Sequence, residues 1–474
     1  MKVKLLTDDQ INKIHQASLK ILEDIGVYVP HDEILSRFIK IGAEVDIKKK
    51  TVKIPNSLIN EFIKKAGKNF TLYGRDLTKK AEFNLNSRNY NTSGGQAFWM
   101  ENVGSERRYA SLNDVITATR FADYLDQITL PGAMADPHEL PVNWRCVKVA
   151  FEMIKNTNKP ITFWFYDRKS AKYLIDLVIK LRGDKKQAEK YPPFYPLFEP
   201  VSPLSFPFNG IDLLFETASL NMPVQIGPMA QMGISAPMTL AGTIAQENAE
   251  ILAGICITQL IREGIPICYG GICHAFDMRT VQTIFSGPEQ AIFGIAMTEM
   301  GKFYGFPVYI NVGLTDSLIP DAQAGLECGI TLSLGISAGA NIFGHFGISG
   351  MDQAASLDML IMQTEIISFI ESMNRDINFN YDDFAIDIIN EAGPKGSFID
   401  KKHTRENYKK NLWIPNLLER YNFENWIKKG ATKMEQRCQK RKEELLSDLK
   451  KQAFDFDIIE DLDKVVEKAK RDLS

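Results

Sequence analysis

Two of the chain's six histidines, His274 and His345, sit where short apolar runs give way to glycine: Gly270-Gly271-Ile272-Cys273-His274 and Phe343-Gly344-His345-Phe346-Gly347. An imidazole there can donate a hydrogen bond or carry a proton near neutral pH. Packing a satisfied histidine into the core is the plainer alternative. Aromatic residues mark two further run ends, Gly94-Gly95-Gln96-Ala97-Phe98-Trp99 and Trp164-Phe165-Tyr166-Asp167. Glycine lets a ligand or backbone approach closely, and ring faces attract a cation by about 0.5–2 kcal/mol each. Strict alternation puts Thr162, Trp164 and Tyr166 on one face, with Phe163 and Phe165 on the other. Asn341, Phe343 and His345 share a face by the same rule. Carboxylates near run ends are Asp136, Asp167, Glu199, Asp316 and Asp321, of which Asp321 also suits a helix N-cap. Aromatic walls with few converging charges fit a quaternary ammonium ligand, which has no N–H to donate, and also fit neutral molecules.

The elements that must position these residues recur at intervals of roughly 27–43 residues. Eight short apolar runs lie at 90–95, 128–134, 161–166, 196–202, 223–229, 266–272, 307–313 and 340–347. Each precedes a helix-like stretch, which predicts a (β/α)8 TIM barrel over 81–375 with its site at the carboxyl ends of the strands. Helices are expected near 111–124, 142–156, 169–182, 210–220, 238–263, 287–304, 321–338 and 351–373. Residues 1–80 read as an N-terminal, mostly helical cap opened by a capping box at Thr7. Residues 376–474 read as a C-terminal loop and helical extension, with charged helices over 431–452 and 457–473, packed on the barrel or a sister subunit. The proline-rich stretch YPPFYPLFEPVSPLSFPF reads as an extended loop over the barrel mouth.

Composition narrows the function. A net charge of −3 offers no electrostatic footprint for nucleic acid. No apolar stretch reaches the ~20 residues of a spanning helix, and the opening MKVKLLTDDQ has no apolar core, so a cytoplasmic protein is expected. The six cysteines form no CxxC pair and read as buried thiols. Phosphate-loop, HExxH and GxGxxG patterns are absent.

Long segments in matching order carry a family resemblance: IHQASLKILEDIGV, NTSGGQAFW, SLNDVITATRFADYL, SGPEQAIFGIAMTEMGKFYGFPV and LTDSLIPDAQAG. The chain resembles the trimethylamine methyltransferase superfamily, in its branch without pyrrolysine. The resemblance implies a (β/α)8 enzyme that moves a methyl group from an amine to the Co(I) corrinoid of a small, separate protein. Pyrrolysine-bearing members act on trimethylamine, and their pyrrolysine corresponds approximately to the region 311–320 here. Members without it take quaternary amines such as glycine betaine, proline betaine, carnitine or γ-butyrobetaine. A quaternary ammonium expels a neutral amine, so no adduct-forming residue is needed and the enzyme supplies orientation and a water-poor site.

Glycine betaine is therefore the first substrate expected, with other quaternary amines, choline included, as alternatives. Phe98, Trp99, Trp164, Tyr166 and Phe346 are expected to wall the ammonium. His345 and His274 are expected at the carboxylate end, with Phe198 and Asp316 as weaker candidates. No catalytic side chain, metal or permanent cofactor is expected. The corrinoid (cobalamin) should arrive on its partner, and the chain should be a homo-oligomer. A non-catalytic quaternary-amine binder and an amine lyase on the same barrel are the readings from other classes.

Overall fold

The structure, a computed structural model, describes residues 2–449 and 458–474. Six parallel strands lie side by side in the order Asn89–Thr92, Ile342–Phe346, Val308–Ile310, Ile267–Gly271, Val224–Ile226 and Leu197–Phe198. The two remaining apolar runs close the ring. Asn91 pairs with Leu130, Gly132 pairs with Thr162, and the Ile161 N–H donates to the Pro193 carbonyl at 3.0 Å. All eight runs are thus staves of one (β/α)8 barrel. Strands buried on both faces read as continuous apolar runs, which is why the periodicity was visible.

Helices Leu112–Tyr124, Val142–Asn156, Arg168–Arg182, Phe208–Thr217, Leu240–Ile261, Pro288–Phe303, Ala322–Ala338 and Leu357–Met373 follow the eight staves. Their starts are written locally. Ser111 and Asp114 form a capping box, Asp167 caps the third helix through Ser170, and Asp321 accepts from the Ala324 N–H at 2.9 Å. The last helix starts later than expected. Residues Ala354–Ser356 instead form a strand that pairs with Phe98–Met100 in a small sheet at the mouth.

Side chains fill the barrel from below. The hairpin of Phe70–Tyr73 and Lys80–Phe83 packs Leu72, Ala81 and Phe83 against Leu130, Tyr195, Cys268, Tyr309 and Ile342, the inward residues of five staves. The N-terminal helices Asp8–Lys20, Asp32–Lys40 and Asn56–Lys65 pack against helix Leu240–Ile261. The N-terminal segment therefore flanks and plugs the barrel. In the extension, helix Met434–Leu449 packs on Leu357–Met373 and Leu112–Tyr124, and helix Ile459–Leu473 packs on Val142–Asn156 and Arg168–Arg182. The expected continuation of the first of these over 450–452 lies outside the described residues. All six cysteines are buried and free. Among the described residues no helix is long and apolar enough to cross a membrane.

Candidate active site

At the carboxyl ends of the staves the lumen narrows to an inner space of about 10 Å³, room for about one water. It is lined by Asn91, Gly94, Thr162, Trp164, Tyr195, Leu197, Gln225, Tyr309 and His345. Trp164 and Leu197 also wall a larger space of about 480 Å³ above it, shared with Tyr166, Glu199, Met229 and Gln231. Val201 and Ile234 on its rim are more than half exposed, so this outer space opens to solvent. The residues lining the two spaces include neither Lys nor Arg.

Trp164 is held from both sides. Its indole Nε1 donates to the Gly95 carbonyl at 2.9 Å, and a Cβ on Gly94 would lie 3.0 Å from its ring. The two glycines are what let the backbone lie flat on the indole. The ring centroid stands 5.8 Å from that of His345. Tyr166 donates from its hydroxyl to Asp136 Oδ1 at 2.7 Å, and Arg145 holds the other carboxylate oxygen at 2.7 Å. Burial, and after it that pairing, pushes the Tyr166 phenol well above its ordinary range, so it stays neutral.

His345 reaches the lumen by a break in its strand. The pairing with Asn89–Thr92 shifts between Phe343 and Phe346, and His345 has φ +70°, in the left-handed region. Strict alternation would place it with Phe343. Phe343 instead packs outward on Tyr90, with ring centroids 5.4 Å apart, while His345 faces in. Gly344 permits this, since a Cβ there would lie 1.7 Å from the Tyr309 hydroxyl. Burial lowers His345 to about 4, so it is neutral at physiological pH. Its Nδ1 is buried without a hydrogen-bond partner, as are Tyr309 Oη, Asn91 Oδ1 and Asn311 Oδ1. Such groups are costly to bury unpaired, and four of them around one strand-end cluster point to a polar ligand.

His274 stands behind this wall with both nitrogens engaged. Its Nδ1 donates to the Ile284 carbonyl at 3.0 Å, and Asn311 donates toward its Nε2 at 3.4 Å. Burial lowers it to about 4. Its ring packs on Phe285, and Asp316 accepts the N–H groups of Phe285 at 2.8 Å and Ser286 at 3.4 Å. Asp316, raised to about 6 by burial, thus holds the segment that holds His274. Glu247, fully buried, accepts the N–H groups of Ala230 at 3.0 Å and Ile272 at 2.6 Å and ties two stave ends together.

The structure relocates several expected wall residues. Phe198 and Phe346 lie in the core between staves and helices, and Trp99 is buried on the small mouth sheet. Phe198 packs on Phe206, and Phe346 lies against Tyr90 and under Gly313. Phe98 stands in the small mouth sheet, stacked on Tyr109 at 5.1 Å. None of the four lines either space. Where Phe198 was expected, its neighbours Leu197 and Glu199 face the site.

Sequence reasoning passed over Asn91, Tyr195, Gln225 and Tyr309. A polar side chain in the middle of an apolar run was the available signal, because a buried strand carries one only where it finds a partner or a ligand. It also passed over Asp352, which has φ +62°. The Gln96 amide donates to Asp352 Oδ1 at 2.6 Å and to its carbonyl at 2.8 Å. Burial raises Asp352 to about 7, opposed by Gln96 and assisted by the charge of Glu199. Glu199 is raised by burial too. Two carboxylates of weakened acidity, the neutral His345 imidazole and linings without Lys or Arg make a mouth that favours a positive guest.

The family model described as trimethylamine methyltransferase (MTTB) matches residues 1–474. The chain belongs to the trimethylamine methyltransferase family. It is 30% identical over 459 residues to a glycine betaine methyltransferase of Desulfitobacterium hafniense, covering 96% of this chain and 95% of that one. It is 28% identical over 486 residues to the trimethylamine methyltransferase MttB of Methanosarcina barkeri, covering 99% and 96%. Among solved structures, the monomethylamine methyltransferase MtmB of Methanosarcina barkeri matches with a TM-score of 0.54 at 11% identity, over 96% of this chain and 89% of that one. That likeness speaks for the barrel fold alone. Membership makes the protein an amine methyltransferase.

Proposed function

We propose that this member of the trimethylamine methyltransferase family moves a methyl group from a betaine-type quaternary amine, glycine betaine first, to the Co(I) corrinoid of a separate protein. The observation that carries the reading is the polarity of the site along the barrel axis. Its inner end presents unpartnered polar groups, His345 Nδ1 and Tyr309 Oη, without a net charge. Its outer end presents the Trp164 and Tyr166 rings and the Glu199 carboxylate. A betaine placed with its carboxylate inward and its ammonium outward meets a hydrogen-bond donor at one end and ring faces with negative potential at the other. Its methyl groups then face the open mouth.

The corrinoid supplies the nucleophile, and the open outer space leaves it a route. This chain's residues bind, orient and keep water from the reacting carbon. Neutral His345 keeps its one N–H for the carboxylate and is too weak an acid to protonate the product amine, which is expelled uncharged at nitrogen and takes its proton from water. The test is methyl-cobalamin formation from Co(I) cobalamin with glycine betaine, proline betaine, carnitine, γ-butyrobetaine and choline in turn. Turnover with at least one betaine is expected. A protein that binds a betaine and methylates nothing would be a binder, and the proposal would fall.

A further inference from the structure

Residues 376–410 leave the barrel and return. The two feet of this arm are tied by Arg375, which donates to the Asn411 carbonyl, and by Trp413, whose Nε1 donates to Ser368 Oγ at 3.0 Å. Within the arm, the turn Tyr381–Phe384 and the helices Ile386–Ala392 and Lys402–Asn411 have no buried residue. The arm's apolar side chains face solvent: Ile377 is 71% exposed, Phe379 73%, Tyr381 78% and Ile399 87%. Monomeric proteins rarely expose so much contiguous apolar surface. With Phe384, Ile386, Ile389, Phe398 and Tyr408, and up to about 150–250 Å² for each aromatic ring, the arm offers on the order of the ~800 Å² per partner that a standard interface buries.

Beside the arm's root lies a cavity of about 730 Å³ between helices Ala322–Ala338 and Leu357–Met373. Ile330, Leu334, Ile366, Phe369, Met373 and Leu418 wall it, and Gly325 and Gly329 line it with nothing within 4 Å of where a Cβ would stand. Beyond Leu417 the adjoining cavity is basic on balance, with Lys429, Arg437, Lys440 and Arg441 against Glu419 and Glu444, which pair with the two arginines. The first half of the arm, 376–391, carries the opposite sign, with Asp376, Asp382, Asp383, Asp387 and Glu391 and no Lys or Arg, whereas its return, 395–410, is basic.

We propose that the arm of one copy docks in this groove of a second copy of the same chain. The arm's acidic first half and the groove match in apolar character and in the sign of their charged margins, and no described residue of the arm is buried against its own chain. The position argues against the corrinoid protein as occupant. Glu371, next to the arm's root, pairs with Arg88 at 2.7 Å and takes a hydrogen bond from Tyr90, at the amino-terminal start of the first stave. The arm therefore springs from the end of the barrel opposite the mouth, where a cobalt centre has no access to substrate.

Light scattering on the eluting full chain is expected to give a multiple of the chain mass. Phe379→Asp with Tyr381→Asp, and separately Ile330→Asp, should reduce it to a single-chain mass with unchanged circular dichroism, since all three side chains are exposed. Cysteine pairing then fixes the contact, because the native cysteines are buried. A mixture of Tyr381→Cys and Ile330→Cys chains should form a disulfide-linked heterodimer. A wild-type monomer, an oligomer unaffected by these variants, crosslinking of Tyr381→Cys chains to one another, or an intrachain bond in the double variant would each overturn the proposal.

Discussion

If Trp164 supplies a ring face to the ammonium, Trp164→Ala should weaken betaine binding by about 1–2 kcal/mol, and Trp164→Phe should keep part of it. Calorimetric titration reads this, and equal affinity in wild type and Trp164→Ala would remove the indole from the site. His345 belongs to the other end of the ligand. A hydrogen bond to a charged group is worth about 1.5–3 kcal/mol, so His345→Ala should weaken betaine binding roughly 10–150-fold. A carboxylate-free quaternary amine should lose far less. Equal losses would make His345 a packing residue and reverse the proposed orientation. Asp352 adds a pH dependence. Burial raises it to about 7, and a bound cation favours its ionised form. Affinity for the cation should therefore rise as pH is raised through about 7 and fall below it. His345, lowered to about 4, stays neutral across that window. Asp352→Asn should flatten the profile, and a wild-type affinity unchanged between pH 6 and 8 would exclude Asp352 from the ammonium's surroundings. At this scale Trp164, Tyr166, Glu199 and His345 were legible, because each is chemically conspicuous at a run's end. Asp352 was not, since only the tertiary meeting with Gln96 brings it to the mouth.

Among the elements, the staves were legible and their facing was not. Leu197–Phe198 is a two-residue strand between prolines, too short for alternation to fix a phase, and its Phe198 turns to the core. On Ile342–Phe346 the phase breaks at the bulge, which carries His345 inward and leaves Phe346 in the core. No one-dimensional periodicity contains that break; the glycine at 344 was its only local mark. The bulge also makes a prediction. Gly344→Ala would set a methyl group against the Tyr309 hydroxyl, where a Cβ would stand 1.7 Å away. Overpacking of this kind costs about 1–3 kcal/mol, so the denaturant midpoint should fall and betaine affinity with it. A variant of unchanged stability and affinity would show that Tyr309 is not held there.

The whole molecule is tied together by its C-terminal extension, whose helices were legible as charged amphipathic segments and whose anchoring was not. Lys442 Nζ reaches Asp358 Oδ2 at 2.8 Å, the Glu101 carbonyl at 2.6 Å and Asn102 Oδ1 at 3.1 Å, with both charged side chains almost wholly buried. Breaking a buried pair from one side strands the other charge and costs about 3–5 kcal/mol. Lys442→Met should therefore lower the melting temperature strongly, and adding Asp358→Leu should recover much of the loss. No recovery would mean that the extension is held by other contacts. A site with no adduct-forming residue should demethylate only an amine that is already activated. The most direct measurement compares initial rates of Co(I) cobalamin methylation, followed by absorbance at neutral pH, with glycine betaine and with trimethylamine. Methyl-cobalamin should form with the betaine and not with trimethylamine; comparable rates with both donors would contradict the claim.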